Sequence, residues 1–145
     1  MNLKEKIESG LVALTLKSHP EVVEKLEQYL ALITKWNKVT NLTSIDNPEQ
    51  MVVIHLLDSL SIQPYLSGHR ILDVGSGAGL PGIPLALINQ DKDFILLDSN
   101  GKKTRFMVQA AIELGIRNIE VVHSRAQVFQ GEFDHVVCRA FAGTD

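Results

Sequence analysis

The residues best placed to do chemistry form one run, Asp73-Val-Gly-Ser-Gly-Ala-Gly-Leu-Pro-Gly82. Glycines at 75, 77 and 79 let the backbone turn through positive φ and leave no Cβ between it and a ligand. One acid, Asp73, precedes them, and a second, Asp98, closes the next apolar run. Such a set supplies binding: a backbone cradle, with carboxylates that accept hydrogen bonds from hydroxyls or an ammonium group. A helix expected from about Pro81 would point unpaired N–H groups and a positive dipole end into the same crevice.

Two cofactor readings compete for this loop. Gly77-Ala-Gly79-Leu-Pro-Gly82 fits the dinucleotide pattern GxGxxG, and Asp98 follows about 20 residues on, where a ribose ligand belongs. On that reading the chain is an NAD-type oxidoreductase. The pattern, however, begins late after its strand. Asp-x-Gly-x-Gly-x-Gly, with an acid ending the strand, fits better and resembles motif I of S-adenosylmethionine-dependent methyltransferases. That cofactor carries a cationic amino acid end where a dinucleotide carries a pyrophosphate. Asp73 is then expected beside its ammonium, and Asp98 is expected to accept from both ribose hydroxyls.

The chain offers little material for other chemistry. Its single cysteine, Cys138, excludes an internal disulfide or a cysteine-rich metal cage, and reads as a small buried residue. The five histidines show no HxxxH or HExxH spacing, so no metal is expected, and no nucleophile–base triad is supported by spacing. His55 and Asp58, one helical turn apart, read as a surface or capping pair in preference to a polar pair facing the crevice. Tyr29 lies on an apolar helix face and reads as core, while Trp36 is open between base stacking and packing.

The elements that must position these residues come in two parts. Residues 1–66 read as a helical N-terminal cap. Ser18-His-Pro-Glu21 is a start signal with serine at the N-cap. Val22, Leu26, Tyr29, Leu30, Ile33 and Trp36 then mark one helix face ending near Lys38. Asn41-Leu-Thr-Ser is loop-like, and a further helix runs from Asn47-Pro48 to about Pro64.

Residues 67–145 change pattern. Apolar runs at Ile71–Val74, Phe94–Asp98, Ile119–Val122 and Phe133–Cys138 alternate with helix candidates at Pro81–Asn89, Lys102–Leu114 (closed by Gly115) and Arg125–Phe129. This is an α/β, doubly wound, mainly parallel Rossmann-like sheet with expected strand order 3-2-1-4. The chain stops seven residues after the fourth run, which leaves that run an exposed apolar edge. The expectation is an N-terminal portion of a longer protein with an incomplete sheet, or a chain completed by a partner.

Composition bounds the class. A chain of 145 residues with 45% hydrophobic and 21% charged residues and mean hydropathy +0.07 is one globular unit's worth. No run approaches the ~20 apolar residues of a membrane span, and no signal peptide is evident. A cytoplasmic, reducing location and a monomer are expected. The net charge of −3 excludes a globally basic nucleic-acid coat, so any nucleic acid must meet a local patch. The candidate rim is Lys35 and Lys38 ending the first long helix, Lys102, Lys103 and Arg105 after Asp98, and Arg125. Taken singly, each reads more readily as a solvated surface charge, and Lys35 and Lys38 also suit a helix C-terminus.

Several segments, taken in order, resemble one family. They are Lys35-Trp-Asn-Lys-Val-Thr-Asn-Leu-Thr-Ser-Ile45, His55-Leu-Leu-Asp-Ser59, Gly79-Leu-Pro-Gly-Ile-Pro84, Leu96-Leu-Asp-Ser99 with Gly101-Lys-Lys, Ser124-Arg and Cys138-Arg-Ala-Phe-Ala142. Together they resemble the bacterial 16S rRNA guanine-N7 methyltransferases, also called glucose-inhibited division protein B, over nearly the whole chain from about residue 26. The resemblance implies a Rossmann-like enzyme that uses S-adenosylmethionine, acts on 16S rRNA or the small ribosomal subunit, and has a further C-terminal part. It implies cofactor contacts at Gly75 and Leu80, at Ala126 and Gln127 against the adenine, and at Arg139, alongside Asp73, Gly77 and Asp98 from the loop. Gln127 departs from the commoner glutamate but still pairs with an adenine edge. For Arg139 three readings stay open: a methionine carboxylate, an RNA phosphate, or a surface ion pair. Guanine N7 is already a lone-pair nucleophile, so no general base is named. A methyltransferase with a non-RNA substrate and an inactive cofactor-binding fragment remain alternatives.

Overall fold

The computed structural model describes residues 1–127 and 129–139. Its helical part begins with α1 (Leu3–Ala13), entered through a capping box. Asn2 Oδ1 accepts the Glu5 N–H at 2.8 Å, and Glu5 Oε1 accepts the Asn2 N–H at 2.9 Å. Helix α2 (Pro20–Thr40) starts on His19 as N-cap, one residue later than the expected Ser18 cap, with no side-chain capping bond. Pro20 presets the first turn instead. The helix runs to Thr40, and Asn41 ends it in the left-handed region at φ 46°.

The second expected helix is present, running without interruption from Pro48 to Leu60 with a π-helical turn inside it. Asn47 Oδ1 caps α3 (Pro48–Met51) by accepting from the Glu49 and Gln50 N–H groups. A π-helical segment, Val52–Leu57, follows, then α4 (Asp58–Leu60) and one 3-10 turn at Gln63–Tyr65. Helix α1 crosses the π-helical segment closely: a Cβ on Gly10 would lie 2.5 Å from Leu57 Cδ2.

The sheet is parallel throughout, in the expected order: β3 (Ile119–His123), β2 (Asp93–Asp98), β1 (Arg70–Val74), β4 (His135–Val137). Helices α5 (Gly82–Ile88) and α6 (Gly101–Leu114) connect its strands, and Gly115 closes α6 at φ 64°. Three expectations are corrected. Among the described residues of Arg125–Phe129 the one helix-type bond runs from the Phe129 N–H to the Arg125 carbonyl, and Ala126 and Gln127 form a turn. The fourth strand has three residues: just before it, the Asp134 carboxylate turns back to accept the His69 and Arg70 N–H groups at 2.7 and 2.9 Å. Cys138, expected buried, is exposed.

Packing ties the helical part to the sheet. One hydrophobic cluster includes Ile7 of α1, Tyr29 of α2, Phe106 of α6, Phe94 of β2 and Val137 of β4. Each fully buried large side chain of this kind contributes about 1.5–3 kcal/mol by leaving water. Trp36 belongs to this packing, with its ring edge-on to Phe106 at 5.6 Å, so its base-stacking reading is set aside. Alternate strand residues Leu72, Ile95 and Leu97 form a smaller cluster with Phe129 and Phe133 on the other face. The sheet's carboxyl ends are thereby held still beneath the glycine loop.

Candidate active site

A cavity of about 1420 Å³ opens where the carboxyl ends of β1 and β2 meet the helical part. Ligands of open parallel sheets bind at such ends. Strand register sets its floor. Val74 of β1 pairs with Leu97 of β2, so the chain leaves β1 opposite Asp98. The Gly75 and Ser76 N–H groups both donate to the Leu97 carbonyl, at 2.8 and 3.1 Å. The Gly77 N–H donates to Asp98 Oδ2 at 2.8 Å, and the Asn100 N–H to Asp98 Oδ1 at 2.8 Å. Asp98 therefore fixes the loop and the start of α6 while one edge still lines the cavity. Each of its oxygens keeps a further lone pair that can accept from a hydroxyl.

The glycine positions fit a cradle. Gly75 and Gly77 take φ 70° and 59°, and a Cβ built on Gly75 would meet nothing within 4 Å. On Gly77 it would meet only Lys103 Cδ, at 4.0 Å. The space above the loop belongs to the cavity. From the helical side, the buried Tyr29 hydroxyl donates to the Ala78 carbonyl and fixes the loop's height. Burial pushes the Tyr29 phenol well above its ordinary value, so it stays a donor.

Asp73 stands elsewhere than expected. Its side chain is fully buried, does not line the cavity, and accepts the Gly82 N–H through Oδ2 at 2.8 Å. It caps α5 from inside the fold, which corrects both its expected place beside a ligand's ammonium and the unpaired N–H groups expected at this helix end. The Ile83 N–H is likewise taken, by the Gly79 carbonyl at 2.6 Å. Burial raises the Asp73 pKa well above the carboxylate range, against the Gly82 N–H, and its Oδ1 has no hydrogen-bond partner among the described residues.

Arg139 lines the cavity, but its side chain is only 6% exposed and its donors are spent inside the chain. Nη1 donates to the His55 carbonyl at 3.2 Å and to Ser59 Oγ at 3.0 Å. Nη2 donates to the Ile54 carbonyl at 2.6 Å and to His55 Nδ1 at 3.1 Å, and Nε faces Asp58 Oδ2 at 3.3 Å. All four terminal N–H donors are used. The guanidinium clamps the end of β4 to the π-helical segment, which corrects its readings as a carboxylate holder, a phosphate contact or a surface ion pair. His55 and Asp58 meet through it. His55 is fully buried, and burial, with Arg139's charge, lowers its pKa to about 4.

The other sequence candidates divide. Gly75, Gly77, Leu80, Asp98, Ala126 and Gln127 all line the cavity. Of the six cations, Lys103 and Arg125 line it, and Lys35, Lys38, Lys102 and Arg105 do not. Residues missed from sequence include Asn41, Thr43, Ser44 and Ile45, which bring the α2–α3 loop onto the wall. Its signal was Asn41, a helix-ending residue followed by small hydroxyl side chains. Among the described residues no His/Cys/Asp/Glu cluster suits a metal, and no helix is long and apolar enough to cross a membrane.

Comparison with known proteins adds a second line. The family described as rRNA small subunit methyltransferase G matches residues 22–145. A Shewanella amazonensis protein named ribosomal RNA small subunit methyltransferase G is 51% identical over 142 residues, covering 97% of this chain and 69% of its own length. Proteins of the same name from Nitrosococcus oceani (53% identical, 94% of this chain, 64% of the relative) and Pseudomonas syringae (48%, 97% and 67%) are similar to it as well. The chain spans about two thirds of the length of these relatives.

Proposed function

The chain belongs to the rRNA small subunit methyltransferase G family, and on that premise we propose that it holds S-adenosylmethionine against the glycine loop and methylates guanine N7 in 16S rRNA. The oxidoreductase reading falls with the family assignment. One observation carries the cofactor choice: Asp73 fills the N-terminus of α5 through the Gly82 N–H. A pyrophosphate needs those N–H groups free. The loop left open at Gly75 and Gly77, flanked by the Asp98 acceptor, suits a nucleoside that offers hydroxyl donors.

S-adenosylmethionine supplies an electrophilic methyl group when bound. Asp98 would accept from its ribose, Gly75 and Gly77 would let it lie against the backbone, and Leu80, Ala126 and Gln127 would flank its base. Guanine N7 already holds an in-plane lone pair, so no side chain is asked to remove a proton. The neutral His55 is hydrogen-bonded at both ring nitrogens, in keeping with a site that orients reactants and does no acid–base work. RNA phosphates would be met by Lys103 and Arg125, which line the crevice, together with Lys35, Lys38, Lys102 and Arg105.

Isothermal titration tests the cofactor reading, on this chain and on a form with the relatives' full length. S-adenosylmethionine is expected to bind and NADH to remain silent, with Asp98→Ala weakening binding at least tenfold. Binding of NADH alone would overturn the reading. Binding only by the longer form would mark this chain as an inactive fragment.

A further inference from the structure

Thr43 lines the cavity from the loop between α2 and α3. Its hydroxyl is committed on its acceptor side. A guanidinium only donates, so the contact from Arg139 Nη2 makes His55 Nδ1 an acceptor. A neutral imidazole then carries its proton on Nε2, and that N–H donates to Thr43 Oγ1 at 2.9 Å. The Ile45 N–H donates to the same oxygen at 3.1 Å. Both lone pairs of Oγ1 are used, and among the described residues nothing accepts its proton. The Thr43 N–H is itself held by Asn37 Oδ1 at 2.9 Å, so the residue is fixed from backbone and side chain.

The result is a hydroxyl preset as a donor on a residue that lines the cavity. That polarity selects among purines. Beside N7, guanine presents the O6 acceptor, whereas adenine presents the N6 amino donor. The cofactor cradle is built by the strand ends and the loops after them, while Thr43 comes from the helical part, where an incoming base must be met by other groups. We propose that Thr43 donates to O6 of the guanine whose N7 is methylated and so excludes adenine. This rests on the functional reading above.

The test uses the full-length protein, its Thr43→Val and Thr43→Ser variants, and rRNA carrying guanine or 2-aminopurine, which lacks O6, at the methylated position. Thr43→Val should lower kcat/KM on the guanine RNA by about tenfold or more. Thr43→Ser should restore it, affinity for S-adenosylmethionine should be unchanged, and the wild type and Thr43→Val should act alike on the 2-aminopurine RNA. Equal losses on both RNAs, or a parallel loss of cofactor affinity, would overturn the proposal, since the hydroxyl would then serve the fold or the cofactor. Failure of the functional reading shows separately, as a wild-type enzyme that leaves guanine N7 unmodified.

Discussion

The carboxylate of Asp73 accepts the Gly82 N–H at 2.8 Å, nine residues further along the chain, so the acid that opens the glycine loop also caps the helix that closes it. The two ends of the loop are thereby joined by a hydrogen bond. Its carboxylate is buried to do this, and burial favours the protonated form.

That has a pH consequence. An acid whose folded pKa lies above its unfolded value makes the protein most stable below the unfolded pKa and less stable as pH rises toward the folded one. Asp73→Asn keeps an acceptor for Gly82 and removes the ionisation. Urea melts should show the difference in stability between Asp73→Asn and wild type moving in the variant's favour as pH rises above the carboxylate range. A difference that stays constant with pH would contradict the buried-acid account.

His55 works in the opposite direction. Its folded pKa of about 4 lies below the ordinary 6.5, so its contribution is intact above 6.5 and is lost as pH falls from there toward 4. The loss amounts to about 3 kcal/mol at most. His55→Asn does not titrate there, and the wild-type-minus-variant difference in denaturation free energy should fall between those pH values. A flat difference would mean that the imidazole is solvated in the native state.

Tyr29 joins α2 to the loop through the Ala78 carbonyl. Tyr29→Phe removes one buried hydroxyl and leaves the ring packing near Phe106 in place. Stability should fall by about 1–2 kcal/mol. Cofactor affinity should fall several-fold in calorimetry, because the loop loses its support. Unchanged affinity would show that the loop's height is set by Asp73 and Asp98 alone.

The RNA rim makes an ionic prediction. Lys38 and Lys102 lie outside the cavity lining, so reversing both charges should spare cofactor binding. In filter-binding titrations against salt, the slope of log affinity should shrink by about 0.7–0.9 for each phosphate that is no longer neutralised. An unchanged slope would make both residues ordinary solvated lysines. Lys103 is a poor choice for this test, since its side chain approaches Gly77.

The sheet was legible because its signals are local: β-branched and apolar runs, a glycine loop after the first, and Gly115 stopping α6 where the helical pattern stops. The cavity residues Gly75 and Asp98 were legible for the same reason, whereas Ala126 came only from the family resemblance. What the sequence hid depends on long-range partners. Arg139 looks like a surface or ligand-binding arginine until Ile54, His55 and Ser59, some eighty residues earlier, absorb its donors. The π-helical segment and α4, which present those groups, have an ordinary helical composition. Asp73 reads as a ligand because burial cannot be seen from its neighbours. Thr43 sat in a segment that read only as loop.

Transfer of a methyl group to guanine N7 can be measured directly. Small ribosomal subunits lacking the modification should be incubated with the full-length protein and S-adenosylmethionine carrying an isotopically labelled methyl group, and the 16S rRNA mapped by mass spectrometry. The expected result is label in 7-methylguanine at one position, lost with Asp98→Ala. Label on another base or another guanine atom, or none at all, would contradict it.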